Sequence, residues 1–427
     1  RRDELKLLEQ RLLERTGAGG TVYIYGEPGV GKSRLLDEFQ RRHPELSYLA
    51  LQADAVLRRS LNPVITHLRR FFLLDGTSET ANAAIFARRF DELIAALLHT
   101  EQPGAAALAT ALERQRGYLE ELVGLSHDEE DEAGLPAEVR FNNRLFAARD
   151  FFRARALLAP SVVVLDDLQW LDDDSRRFFK LLLRLEQPRP ALVVLSRYRD
   201  DGAKPRLGDG AAALELELAE LDEADVEPFI EQLLGRPVER ELYTHILERS
   251  AGNPFYLEQL CGYLSENALL EERNGRLQLR GDIASLPDGI RTLLVARLDR
   301  LSTRLKQVVK TAAVLGREFD PRILGAVLRG ERLEALLREG ERELIWLSLS
   351  SLLYLFRHVL LREAAYGMML RGRLRELHGL TARVLEREFP NDPRRYAELA
   401  HHYGRAEERE RELHYLELAV DYAVDNY

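Results

Sequence analysis

From Thr21 to about Leu216, short apolar runs rich in β-branched and aromatic residues alternate with longer amphipathic stretches. The runs "TVYIY", "LSYLALQ", "SVVVLDD", "ALVVLS" and "ALELEL" predict the strands of a parallel five-stranded sheet covered by helices. From about Ala219 onward the apolar spacing becomes helical. Between the second and third predicted strands, residues 56–158 read as a helical insertion whose Ala- and Leu-rich segments are broken by "GTSET", "EQPGA" and "SHDEEDEAGLP". An acidic run of that kind is expected to be a solvated loop.

The first predicted strand runs into "GEPGVGKS", in which Gly26, Gly29, Gly31, Lys32 and Ser33 fit G-x-x-x-x-G-K-[ST]. The amphipathic "SRLLDEFQRR" follows, with Leu35, Leu36 and Phe39 suited to one helix face. A strand, a glycine-rich turn and a helix N-terminus in this order direct successive backbone N–H groups toward one point, where the helix dipole favours an anion. The expected phosphate-binding residues are Gly26, Glu27, Pro28, Gly29, Val30, Gly31, Lys32, Ser33 and Arg34. Lys32 is expected to neutralise the β- and γ-phosphates of a nucleotide, and the Ser33 hydroxyl to ligate Mg²⁺.

Four apolar residues in "SVVVLDD" carry the third predicted strand to Asp166 and Asp167, at the carboxyl edge where ligands sit in open α/β sheets. Asp166 is the expected second Mg²⁺ ligand. Asp167 is the carboxylate expected to polarise an attacking water. Arg197 and Arg199 leave the same edge in "LSRYRDD", and either guanidinium could pair with the γ-phosphate.

Composition narrows the setting. At 427 residues, and with about 150 per domain, the chain should hold about three domains. A formal net charge of −10 speaks against a surface built throughout to hold nucleic acid. Cys261 is the sole cysteine, so no intrachain disulfide can form, which favours a reducing compartment and makes the cytoplasm the expected location. No apolar run reaches the ~18 residues of a membrane span, and no signal peptide is evident. The chain opens on "RRDELKLL" without methionine and stops inside a helical pattern, so we read it as part of a longer protein.

Taken together, "GEPGVGKS" and "DDLQW" make the chain resemble a STAND-class P-loop NTPase, of the branch found in large ATP-binding LuxR-type regulators and in cyclase- and kinase-linked ATPases. The resemblance implies an α/β P-loop domain over 1–216, an all-α helical domain over 217–284, a winged-helix domain over 285–370 and the start of TPR-like repeats over 371–427. "RRDEL" is similar to the family segment on the adenine side, which makes Arg1 the family arginine. "RSAGNPFYLEQL" resembles the Gly-x-Pro element, which implies that Pro254 packs on adenine. Arg197-Tyr198-Arg199 stands where the family has Thr-Tyr-Arg, so Arg199 takes the place of the phosphate sensor.

Within the winged-helix segment "ELIWLSLSSLLYLF" is the expected wing hairpin, and "FRHVLLREAAY" resembles the Met-His-Asp element, making His358 the candidate partner of the ADP β-phosphate. Ala397, Ala400 and Ala419 interleave with Tyr and Leu as in tetratricopeptide-like repeats, which bind protein partners.

The function implied is a signal-transduction switch that binds ATP and ADP with Mg²⁺ and hydrolyses ATP slowly, with Lys32, Asp167 and Arg199 in the reaction. Two alternatives stand beside it. One is an oligomeric ATPase that remodels a substrate; the other is a DNA-binding regulator with a nucleotide-stabilised core. The winged helix is expected to clamp the nucleotide domain rather than bind DNA, and a homo-oligomer could form on activation.

Overall fold

A computed structural model describes residues 1–13, 20–53, 60–74, 79–125, 135–185, 189–198, 202–208, 213–280, 289–329, 333–350 and 353–426. It divides into two compact units. One comprises Arg1–Tyr25, Ser33–Leu216 and Ala382–Tyr427; the other comprises Gly26–Lys32 and Glu217–Thr381.

The five expected strands are present as β1 (Thr21–Tyr25), β2 (Ser47–Gln52), β3 (Ser161–Asp166), β4 (Ala191–Ser196) and β5 (Leu214–Glu217). They form one parallel sheet in the order β2-β3-β4-β1-β5. β3 and β4 lie inside the sheet and are apolar almost throughout, because helices cover both faces of such a strand. β5 is an edge strand and alternates, as "LELE", between sides. Parallel register aligns Tyr25 with Ser196 and Gln52 with Asp166, so these carboxyl ends finish at one level.

The insertion is helical as expected, with helices at Asn62–Phe71, Glu79–His99, Ala105–Arg114, Arg116–Leu122 and Ala137–Leu158. Its aromatic core joins that of the sheet: Phe72, Phe86, Phe90, Phe151 and Phe152 are fully buried with Phe178 and Phe179. Much of the acidic run lies outside the described residues. Helices Tyr396–Arg405 and Arg409–Asn426 pack on each other, and the second also meets Ala137–Leu158. Glu386 ties the pair together by accepting hydrogen bonds from the Tyr403 and Tyr415 hydroxyls (2.8 and 2.6 Å) and from Arg411 (2.8 Å).

In the second unit, helices Glu223–Leu234, Arg240–Ser250 and Pro254–Glu266 enclose an apolar core with Val226, Ile230, Ile246, Leu257 and Leu260 at its centre. Cys261 belongs to it, and burial pushes its thiol up to about 12, the behaviour of a packing residue and not a nucleophile. A two-stranded sheet follows, β6 (Leu270–Arg273) with β7 (Arg276–Leu279). Farther on come helices Gly289–Asp299 and Thr303–Leu315 and a three-stranded sheet of β8 (Glu318–Phe319), β9 (Trp346–Ser350) and β10 (Leu353–Phe356). β9 and β10 pair antiparallel, which is the hairpin expected there.

One buried histidine in the sheet unit gives a measurable consequence. His67 is 9% exposed beside Phe151 and Phe152, and its Nδ1 lies 3.2 Å from the Ala50 carbonyl oxygen on the outer side of edge strand β2. Burial, reinforced by Arg70 and Arg155, pushes it down to about 4 from an ordinary 6.5. The unfolded chain therefore binds a proton that the folded chain refuses between those values. Stability should be full above pH ~6.5 and fall by up to about 3 kcal/mol as pH drops toward ~4. Urea unfolding at several pH values checks this: His67→Gln should have a flatter pH dependence than the parent, and parallel curves would refute it.

Candidate functional site

β1 ends at Tyr25 and the chain passes directly into the Gly26–Lys32 loop, after which Lys32–Arg42 is helical with Leu35, Leu36 and Phe39 buried. Glycine is required in this loop for two separate reasons. Gly29 (φ +90°) and Gly31 (φ +101°) hold left-handed backbone that other residues avoid. Gly26 is needed for closeness, because a Cβ there would stand 2.5 Å from the Leu218 carbonyl oxygen. Lys32 folds back along the loop and donates from Nζ to the Gly26 and Glu27 carbonyl oxygens at 2.7 and 3.0 Å. Val30 is buried under the turn, while Glu27, Ser33 and Arg34 are exposed.

The loop is also held from the helical segment of its own unit. Asn253 donates from Nδ2 to the Pro28 carbonyl oxygen (3.1 Å), and the Phe255 N–H donates to that of Gly29 (3.2 Å). Pro254 is the first residue of the helix between them in sequence, where its missing N–H costs nothing. The Phe255 ring lies 4.3 Å, centroid to centroid, from the His358 ring. His358 keeps solvent access on its open side. Partial loss of water, with Arg357, Arg297 and Arg317 nearby, shifts the imidazole below its ordinary value.

The acidic edge belongs to the sheet unit. Asp166 closes β3, and its Oδ1 accepts from the Asp167 N–H at 2.9 Å. Asp167 turns into left-handed backbone (φ 61°, ψ 44°), which aspartate tolerates better than most residues. Both of its carboxylate oxygens are engaged: Gln52 Nε2 donates to Oδ2 at 3.0 Å and Gln169 Nε2 to Oδ1 at 2.8 Å. The other end of Gln169 accepts from the Ser196 hydroxyl (3.2 Å) and the Arg197 N–H (3.3 Å) at the end of β4. One carboxamide thus joins the β3 carboxylate to β4. The Arg197 guanidinium lies over Trp170 at 5.0 Å, a cation–π contact that holds it at this edge.

Residues 1–195 match the family model described as AAA ATPase domain. Over that stretch the chain is similar to AAA-type ATPase domains. An uncharacterized protein of Rhizobium meliloti (strain 1021) is 26% identical to this chain over 387 residues, covering 85% of this chain and 34% of the relative. A STAND protein with a tetratricopeptide repeat sensor from Pyrococcus horikoshii shares the fold at 13% identity, with a TM-score of 0.51, over 98% of this chain and 50% of that one. Cdc6p from Pyrobaculum aerophilum aligns at 13% identity over 91% of this chain and 94% of its own, with a TM-score of 0.36. The chain spans about a third of the length of the Rhizobium relative and half that of the STAND protein.

Arg1 pairs with Glu4 at 3.2 Å in the first turn of helix Arg2–Leu13. Arg199 lies outside the described residues. Among the described residues no group of three or more His, Cys, Asp or Glu could hold a metal ion without other ligands. Asp166 and Ser33 are hard oxygen donors and few in number, which fits Mg²⁺, an ion that keeps water and phosphate oxygens in its shell. Among the described residues no helix is long and apolar enough to cross a membrane.

Three side chains now in view were not anticipated as site residues. Gln169 sits in "DDLQW" and Asn253 in "GNPF", so both lie within the quoted motifs, where a carboxamide has donors and an acceptor to place. Gln52 carried only a positional signal, as the last residue of a strand run.

Proposed function

We propose that the protein is an ATPase that acts as a nucleotide-controlled switch: ADP holds one arrangement of the chain, ATP or a partner favours another, and slow hydrolysis resets it. The observation that carries this reading is the grouping of Gly26–Lys32 with Glu217–Thr381 in one compact unit, although the loop is continuous with a strand of the other. Phosphates seated against the loop would act on the helical segment through Asn253 and Phe255, and on His358 through the Phe255 ring. A neutral imidazole has one N–H to offer a phosphate oxygen.

In this reading Lys32 and the loop amides hold the phosphates, and Ser33 and Asp166 ligate Mg²⁺. Asp167 orients water, Arg199 reports the γ-phosphate, and Arg1 and Pro254 serve the adenine. The segment 285–370 acts as a winged-helix clamp. The segment 371–427 begins a TPR-like partner surface, which is supported by the exposed Leu413, Leu416, Val420 and Val424, spaced three or four apart on the last helix.

The energy scale is attainable. Moving an equilibrium from 1:99 to 99:1 takes about 5.5 kcal/mol of differential binding. Two to four charge-assisted hydrogen bonds at ~1.5–3 kcal/mol each, made in one state only, supply it.

The test is direct. Protein purified without added nucleotide should release ADP on denaturation, and exchange of ADP for an unhydrolysed ATP analogue should enlarge the radius measured by small-angle scattering. Protein that neither carries an adenine nucleotide nor acquires one at millimolar concentration would end the reading.

A further inference from the structure

The phosphate loop is gripped on its outer side by the entry turn of helix Pro254–Glu266, and one residue makes the grip with two ends of a single carboxamide. Asn253 Oδ1 caps that helix by accepting from the Tyr256 N–H at 3.3 Å, while Nδ2 reaches the Pro28 carbonyl oxygen at 3.1 Å. The approach is close: a Cβ on Gly29 would stand 2.7 Å from Asn253 Oδ1 and 3.0 Å from the Phe255 Cβ.

We propose that Asn253 is a positioning residue of the nucleotide site and sets its affinity, by fixing the direction of the Pro28–Gly29 peptide. This rests on the reading of Gly26–Lys32 as the phosphate cradle. A trans peptide is planar, so a carbonyl turned toward Asn253 turns the Gly29 N–H to the opposite side. The Phe255 N–H anchors the next peptide through the Gly29 carbonyl oxygen, at 3.2 Å, while that peptide's own N–H, of Val30, closes the turn by donating to the Glu27 carbonyl oxygen at 3.4 Å. Gly29 alone could rotate freely, since its left-handed backbone carries no side chain to restrain it. With both carbonyls anchored, the Gly29 amide is held in place before the anion arrives, and binding does not have to order it.

A capping role and a loop-holding role can be separated by substitution. Asn253→Asp keeps the acceptor that caps the helix but loses the Nδ2 donor, and sets a negative charge against a loop meant to hold an anion. Asn253→Ser keeps a good cap, is neutral and cannot reach the carbonyl.

Both variants should melt with the parent. Fluorescent ADP should bind Asn253→Asp about tenfold or more weakly, as expected for a lost hydrogen bond plus repulsion. Asn253→Ser should lose affinity in the same direction by a smaller factor. In turnover assays KM for ATP should rise more than kcat falls. If Asn253→Ser and Asn253→Asp bind ADP like the parent while Lys32→Ala does not, the cradle stands and this role for Asn253 is refuted. If Lys32→Ala also binds like the parent, the cradle itself is wrong and the proposal goes with it.

Discussion

Lys32→Ala should abolish binding of both ATP and ADP. The ammonium is the loop's own cation, and in this structure it spans the turn by donating to the Gly26 and Glu27 carbonyl oxygens. Those contacts hold it along the loop and cost little to exchange, because a phosphate oxygen is a stronger acceptor than a neutral carbonyl. Two charge-assisted bonds at ~1.5–3 kcal/mol each amount to a loss of about 100-fold at least. Lys32→Arg is not a conservative control, since a planar fork cannot follow the same path through a tight turn. Titration with a fluorescent nucleotide in Mg²⁺, alongside a melting curve to confirm folding, reads the result. Retained affinity in a folded Lys32→Ala protein would remove this residue from the site.

Much of the architecture could be read from the order of residues, and the reason is local. "SVVVLDD" is apolar on both sides because β3 lies between β2 and β4, so its pattern alone marks it as interior. "ALELEL" alternates because β5 is an edge. The glycine loop was legible because its tight turn demands left-handed backbone at Gly29 and Gly31, and glycine is the residue that supplies it.

What escaped is tertiary. Gln52 and Asp167 are 115 positions apart and meet only because β2 pairs with β3 in the register Gln52 with Asp166, a pairing across the whole insertion that no run of residues announces. Asn253 reads locally as the entry to a helix; its second contact, to Pro28, is 225 positions away. Carboxamides do this work in both places because one side chain carries both a donor and an acceptor, so it can satisfy a local cap or strand end and still hold a distant partner.

That arrangement bears on the second large effect, expected for Asp167→Asn: nucleotide binding within a few-fold of the parent and hydrolysis reduced by about 10²–10⁴, the usual contribution of a positioned general base. The backbone favours a clean experiment. Position 167 is left-handed, and asparagine is at home there, so the substitution adds no strain of the kind alanine would. The side-chain surroundings do change. Gln52 and Gln169 each present an N–H to a carboxylate oxygen, and an asparagine amide offers one oxygen and one NH₂, so one of the two contacts turns from attraction to donor facing donor. Gln169 can answer by reorienting only at the expense of the bonds its oxygen accepts from Ser196 and Arg197. The variant should therefore lose some stability as well as turnover, and a single-turnover assay at saturating ATP separates the two. An unaltered rate would acquit Asp167 as the base; a loss of binding equal to the loss of rate would make it a ligand-binding group and leave the water without a named partner.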